Sequence, residues 1–320
     1  MLKTTKTKIS KRAFSLLELS VVILVIGILI TGVMKGGSLV SASRLNAARS
    51  LTARSPVGEI NGLTAWYETT SLQSFGTRKA GVSGTPPNPT ATISVVQLTD
   101  RNRVEIWRDI GPKCINNYSI ANTTTSTPTQ ATDYINTCNA LSQAILANRP
   151  YYSLSGINNL PSVSFEGSQS LLLDSFKDGN IASSTKFVVF SVDTKPTSGT
   201  HFILDNNPTS TQQRIALSST NISVNNGTDT SIASYNVKNT YILAVIFNGS
   251  TSYYKIHNDP LLPSINPGSN TATGLTVGGI TNTFFRGKIS EIIVFNRMLQ
   301  QGEITEIFNY LGKKYKVQVL

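Results

Sequence analysis

The chain has 320 residues, enough for one large domain beyond a terminal helix, yet only 14% are charged. Its formal charge of +11 is concentrated at the start: setting aside Lys3, Lys6, Lys8, Lys11 and Arg12 leaves 23 basic and 17 acidic residues, a net +6. No tract interleaves basic residues with aromatics, which excludes a nucleic-acid binder. Abundant Ser, Thr, Asn and Gly with recurrent Val, Ile, Tyr and Phe match an extracytoplasmic all-β protein.

From Ala13 to Val33 the chain reads AFSLLELSVVILVIGILITGV, and a helix of about 20 residues spans the roughly 30 Å hydrocarbon core. The five basic residues before it predict a cytoplasmic N-terminus, with everything past about Val33 outside. An ordinary signal peptide fits less well: no A-x-A-like site follows, the apolar run is long, and Glu18 sits one turn inside it. A carboxylate there costs a few kcal/mol without a partner. No basic residue lies between Phe14 and Met34.

The stretch KRAFSLLELSVVILVIGIL resembles the leader and helix start of type IV pilins and of the pseudopilins of type II secretion. The resemblance implies that a prepilin peptidase in the inner membrane cuts between Ala13 and Phe14, and that Phe14 becomes N-methylated. It also implies an assembly role for Glu18, whose carboxylate neutralises the N-terminal ammonium of a neighbouring subunit. Cleavage thereby creates the positive charge that a buried acid requires. The family usually has Gly before the cut, where this chain has Ala13. Gly36 and Gly37 weaken the helix, and Ser38 to about Arg54 suits its outward continuation. The expected order is a leader at 1–13 and a membrane and stalk helix at 14–54. A proline common here in major pilins is absent, which leaves pilus and pseudopilus both open.

Pro56 marks the switch to short alternating runs. Lys186–Val192, Arg214–Ser218, Asn221–Val224, Tyr241–Phe247, Tyr253–Ile256 and Lys288–Phe295 read as strands of a β-sandwich or jelly roll. Tyr241–Phe247, apolar on both faces, predicts a central strand. Thr85–Pro89 reads as a loop, and 113–148 as an insertion with a short helix near Asn139–Ala147. The insertion holds Cys114 and Cys138, which lack C-x-x-C spacing and read as a disulfide in an oxidising compartment, two unpaired thiols being the alternative. Ile304, Ile307, Phe308, Leu311 and Tyr315 recur at helical spacing and predict a C-terminal amphipathic helix over Glu303–Tyr315.

GLTAWYET at Gly62–Thr69, VEIWRDIG at Val104–Gly111, RPYYSLSGINNLPSVSFEG at Arg149–Gly167 and the closing FRGKISEIIVFNRMLQQGEITEIFNYLGKKYKV resemble the concanavalin A-like, laminin-G-type sandwich domains of bacterial surface proteins. Asn159 and Glu166 stand where that family commonly has Gly and Asp. The resemblance implies a concanavalin A-like jelly-roll head over 58–320.

Some enzymes on such folds hydrolyse glycans with paired carboxylates, but their Glu-x-Asp-x-x-Glu strand is absent, and Glu303 and Glu306 read as surface charges. No enzyme is expected. His201 and His257 lack partners at ligand spacing, and no metal or other cofactor is expected, except that Asp205-Asn206-Asn207 offers oxygen ligands for calcium or, more simply, forms a hairpin turn. Trp66 and Trp107 suit core packing better than sugar stacking. Tyr151, Tyr152, Tyr253 and Tyr254 form pairs in which alternation puts one ring in and one out.

The expected protein is a minor or tip pilin-like subunit held in a bacterial inner membrane, with its lectin-like head outside the cytoplasm for adhesion. Its expected partners are other pilin subunits, the prepilin peptidase and a surface glycan or protein. The alternative is a membrane-anchored binding module that never joins a filament.

Overall fold

The computed structural model describes residues 15–78, 93–115, 138–206, 212–257, 259–260 and 264–320, without the side chains of 31–38, 78, 93 and 94. The chain forms two compact units, 1–46 and 47–320. Helix α1 runs from Leu16 to Ala53, 38 residues with Glu18 in its first turn. Among the described residues no helix is long and apolar enough to cross a membrane. The expected span at 14–33 includes residue 14 and side chains past 30 that lie outside them.

In the second unit, two antiparallel sheets form a sandwich. Among the described residues the first has seven strands. Six follow the order β15 (Tyr253–Ile256), β14 (Thr240–Phe247), β9 (Ser184–Val192), β17 (Arg286–Phe295), β7 (Ser162–Glu166) and β6 (Tyr151–Ser153). The seventh, β1 (Leu63–Glu68), lies against β17, which pairs with β7 through Ile289 and with β1 from Glu291 onward. The change of partner falls at a register shift between Ile289 and Glu291, the bend that a bulge introduces.

The second sheet has ten strands among the described residues. Their order is β13 (Asp229–Ser234), β12 (Asn221–Asn225), β11 (Arg214–Leu217), β10 (His201–Asp205), β16 (Leu275–Val277), β8 (Leu171–Leu173), β5 (Leu141–Ser142), β4 (Ile106–Trp107), β2 (Phe75–Arg78) and β3 (Ile93–Val95). The expected short helix at Asn139–Ala147 is absent. Leu141, fully buried, sits in β5 between β4 and β8, and only a 3-10 turn at Leu146–Asn148 follows. Pairing with two strands outweighs the helix propensity of the Ala and Leu residues there.

The seven-stranded sheet is buried on both faces. Tyr67, Phe190, Leu243, Val245 and Ile292 point between the sheets. Trp66, Phe187, Val189, Ile242 and Ile293 point outward, under helix α2 (Gln301–Tyr315). Strand β14, flanked by β9 and β15, therefore has apolar residues at successive positions. Helix α2 buries Ile304, Ile307, Phe308, Leu311 and Tyr315. Glu303 is not simply a surface charge. It closes a capping box with Gln300, and its Oε2 accepts from Arg297 Nη1 at 3.0 Å.

Lys186 on β9 is an exception to the apolar pattern. It is fully buried, donates from Nζ to the Gln213 carbonyl at 3.1 Å, and burial pulls its pKa down to about 7. The unfolded chain holds this proton up to about pH 10.5, whereas the folded one releases it near 7. Between those values the unfolded state binds more protons, so this residue makes stability rise with pH. Lys186→Met removes that slope. In denaturant titrations of the full chain, the stability of the variant relative to the parent is greatest at pH 6 and declines toward pH 9.5, by roughly 1.4 kcal/mol per unit of pKa depression. A difference independent of pH refutes the assignment.

Candidate functional site

Of the assembly residues, Ala13 and Phe14 lie outside the described residues. Glu18 Oε2 accepts from the Ser15 backbone N–H at 2.9 Å, and Ser15 Oγ accepts from Leu17 N–H at 3.3 Å. This is the S-x-x-E pattern that closes a helix start. Among the described residues the second oxygen of Glu18 has no partner. Beyond it, every large hydrophobic side chain from Leu16 to Ile30 is at least 48% exposed. These side chains cover the whole circumference of the helix, a pattern found where a helix is enclosed by lipid or protein.

The head holds a polar cluster that the sequence reading did not anticipate. Strands β1 and β17 place Glu68 directly opposite Glu291, and both are buried. Helix α2 inserts Lys314 between them, with Nζ 3.0 Å from Glu68 Oε2 and 2.8 Å from Glu291 Oε2. Glu291 also accepts from Trp66 Nε1 at 2.7 Å, Tyr310 OH at 2.8 Å and Tyr315 OH at 2.9 Å. Glu68 accepts from Thr70 Oγ1 at 2.6 Å and Ser74 Oγ at 2.7 Å, besides two backbone N–H groups. Burial opposes ionisation of Glu68, Lys314, Tyr310 and Tyr315. For Lys314 the two carboxylates outweigh it and hold the pKa well above the ordinary lysine range, while Lys314 and the hydroxyl donors bring Glu68 below the usual carboxylate range. Thr52, in the last turns of α1, lies 3.3 Å from Tyr310 OH and ties that helix end to the cluster. Fully partnered in this way, the cluster is a structural clamp.

Cys114 and Cys138 form a disulfide 24 positions apart, packed against Ile106. Beside it, Asp109 Oδ1 accepts from the backbone N–H groups of Trp66 at 3.0 Å and Gly111 at 2.9 Å. Burial nevertheless pushes its pKa up to about 7.

Of the Asp205–Asn207 oxygens offered for calcium, those in the described residues already have partners within the chain. Asp205 Oδ2 is held by Arg214 Nε at 2.9 Å, and Asn206 Oδ1 accepts from the backbone N–H groups of Thr273 at 2.7 Å and Gly274 at 2.8 Å. Asn207 lies outside them. Among the described residues no three His, Cys, Asp or Glu side chains gather to hold a metal ion. Trp66 and Trp107 are buried, which removes them as sugar platforms. Tyr152 is buried, while Tyr151 lies between the guanidinium groups of Arg101 and Arg103, 4.1 and 3.9 Å from its ring centre. Tyr253 and Tyr254 are both half-buried, so neither projects freely.

No protein-family model matches the sequence, and no curated protein does. Among solved structures the chain is similar to a Trypanosoma rangeli sialidase at 12% identity, covering 79% of this chain and 33% of that one, with a TM-score of 0.41. The same sialidase in complex with 2,3-difluorosialic acid gives 11% identity, 85% and 38% coverage, and a TM-score of 0.43. The binding domain of botulinum neurotoxin DC gives 15% identity, 47% and 42% coverage, and a TM-score of 0.36. The chain thus spans about a third of the length of these sialidases. Nothing is inferred from similarity this distant, and the sandwich assignment rests on the two sheets themselves.

Removing the clamp's cation leaves two facing carboxylates without compensation. Lys314→Met lowers unfolding free energy by about 3–5 kcal/mol. Adding Glu68→Gln to that variant recovers part of the loss, because one of the stranded charges disappears. Chemical denaturation of the full chain measures both.

Proposed function

We propose that this protein is a pilin-like subunit, minor or tip, of a type IV pilus or pseudopilus, and that its concanavalin A-like head recognises a surface ligand. The single observation that carries the reading is the exposed helix from Leu16 to Ile30, apolar around its circumference, with one acid, Glu18, in the first turn. Such a surface needs lipid before assembly and neighbouring helices after it. In this scheme the prepilin peptidase cuts between Ala13 and Phe14, Phe14 is N-methylated, and the unpartnered oxygen of Glu18 receives the ammonium of an adjacent subunit. The subunit resides in a bacterial inner membrane, with its head outside the cytoplasm, and moves to the filament or cell surface on assembly.

Two measurements test the scheme. Mass spectrometry of the mature chain gives an N-terminus at methylated Phe14. Glu18→Ala abolishes incorporation into filaments while the protein still fractionates with the membrane. Undiminished incorporation of the variant sinks the assembly reading and leaves a membrane-anchored binding module.

A further inference from the structure

The head carries a cleft of about 560 Å³ at one flank of the sandwich, where edge strands β13 and β15 come together with the segment after α2. Its floor includes the rings of Tyr241 and His257, 5.8 Å apart, and the Nδ1 of His257 is buried without a hydrogen-bond partner. Around it stand Lys238, Asn239, Thr240, Asp259, Asn158 and Lys316. Among the described residues neither Lys238 nor Lys316 forms an ion pair, and the one carboxylate of the lining, Asp259, lies near His257 and Lys255, whose Nζ donates to the Asp259 carbonyl.

Asn158, Lys238 and Lys316 all have left-handed backbone, with φ of 50°, 65° and 53°. Glycine relieves this conformation at no steric cost, and Lys316 occupies the position after α2 where helices usually place Gly or Asn. Such backbone fixes the direction in which the two lysine side chains leave the chain, as it also does at five non-glycine residues outside the cleft.

We propose that this cleft binds an acidic saccharide, with Lys238 and Lys316 holding a sugar carboxylate and Asp259, Asn239, Thr240 and Asn158 meeting its hydroxyls. A bare anion accounts for the lysines but not for a carboxylate beside them, whereas hydroxyl groups donate to Asp259. The site deepens the reading of the head as a recognition domain and rests on it, but does not depend on assembly through α1.

The test uses the full chain in detergent micelles, with glucuronate-built and galacturonate-built oligosaccharides, neutral glucose oligosaccharides and inorganic sulfate as calorimetric probes. The acidic oligosaccharides bind, binding weakens as salt rises, and the neutral sugars and sulfate bind far less well. Lys238→Gly and Lys316→Gly each weaken binding roughly tenfold while thermal stability stays level or rises, since glycine suits both backbone conformations. Sulfate binding as tightly as the uronates, or uronate binding untouched by both variants, overturns the cleft assignment and leaves the head a recognition domain. Binding of neutral sugars alone does the same. Absence of binding to every probe, together with a blank glycan and protein screen, overturns the recognition reading as well.

Discussion

Two carboxylates face each other across neighbouring strands in the middle of the head, and the rest of the head is arranged to make that tolerable. Like charges directly opposite on a sheet repel, and burial of Glu68 and Glu291 removes the water that would screen them. The compensation comes from a different element: Lys314, in the last turn of α2, supplies the cation, and Tyr310 and Tyr315 of the same helix supply hydroxyl donors. Such a network adds little net stability over an apolar substitute, but it penalises every other placement of the helix. Helix α2 thus has one acceptable register on the sheet. The final turns of α1 share it, because Thr52 touches Tyr310.

The seven-stranded sheet can support this arrangement because it serves two cores at once. Its inner face packs against the ten-stranded sheet, and its outer face packs under α2. Strand β17 is the hinge of the design. Its register shift near Ser290 lets it leave β7 and take up β1, which brings Glu68 opposite Glu291. Ser290 Oγ and Thr69 Oγ1 both donate to the Pro161 carbonyl at that crossing, so that carbonyl is partnered where the strand changes neighbours.

The long strands β9, β14 and β17 are legible in the sequence because burial on both faces writes continuous apolar runs into it. Helix α2 is legible by the spacing of Ile304, Ile307, Leu311 and Tyr315. That same spacing contains Lys314, three positions after Leu311 and seven after Ile307, and Glu68 and Glu291 interrupt apolar runs. The signal for the clamp was therefore present, but an isolated charge in an apolar pattern does not say which other charge it meets. Strands of two or three residues, such as β4 and β5, are too short to carry a period. Nor could the Asp205–Asn206 motif reveal that Arg214 and the amides near Thr273 occupy its oxygens. The cleft gathers side chains from near 158, 238, 259 and 316, a grouping that only tertiary structure creates.

The order of these elements along the chain has a kinetic meaning. Lys314 and Glu68 meet across a separation of 246 positions, and β1 finds β17 over nearly as long an interval. Loop closure on that scale must precede any reward from the clamp, which places the head among slow folders of high contact order. Until α2 arrives, the outer face of the sheet exposes Trp66, Phe187 and Ile293 together with two uncompensated acids. The last helix of the chain is therefore also the element that covers the outer face of the sheet and supplies the cation that Glu68 and Glu291 share.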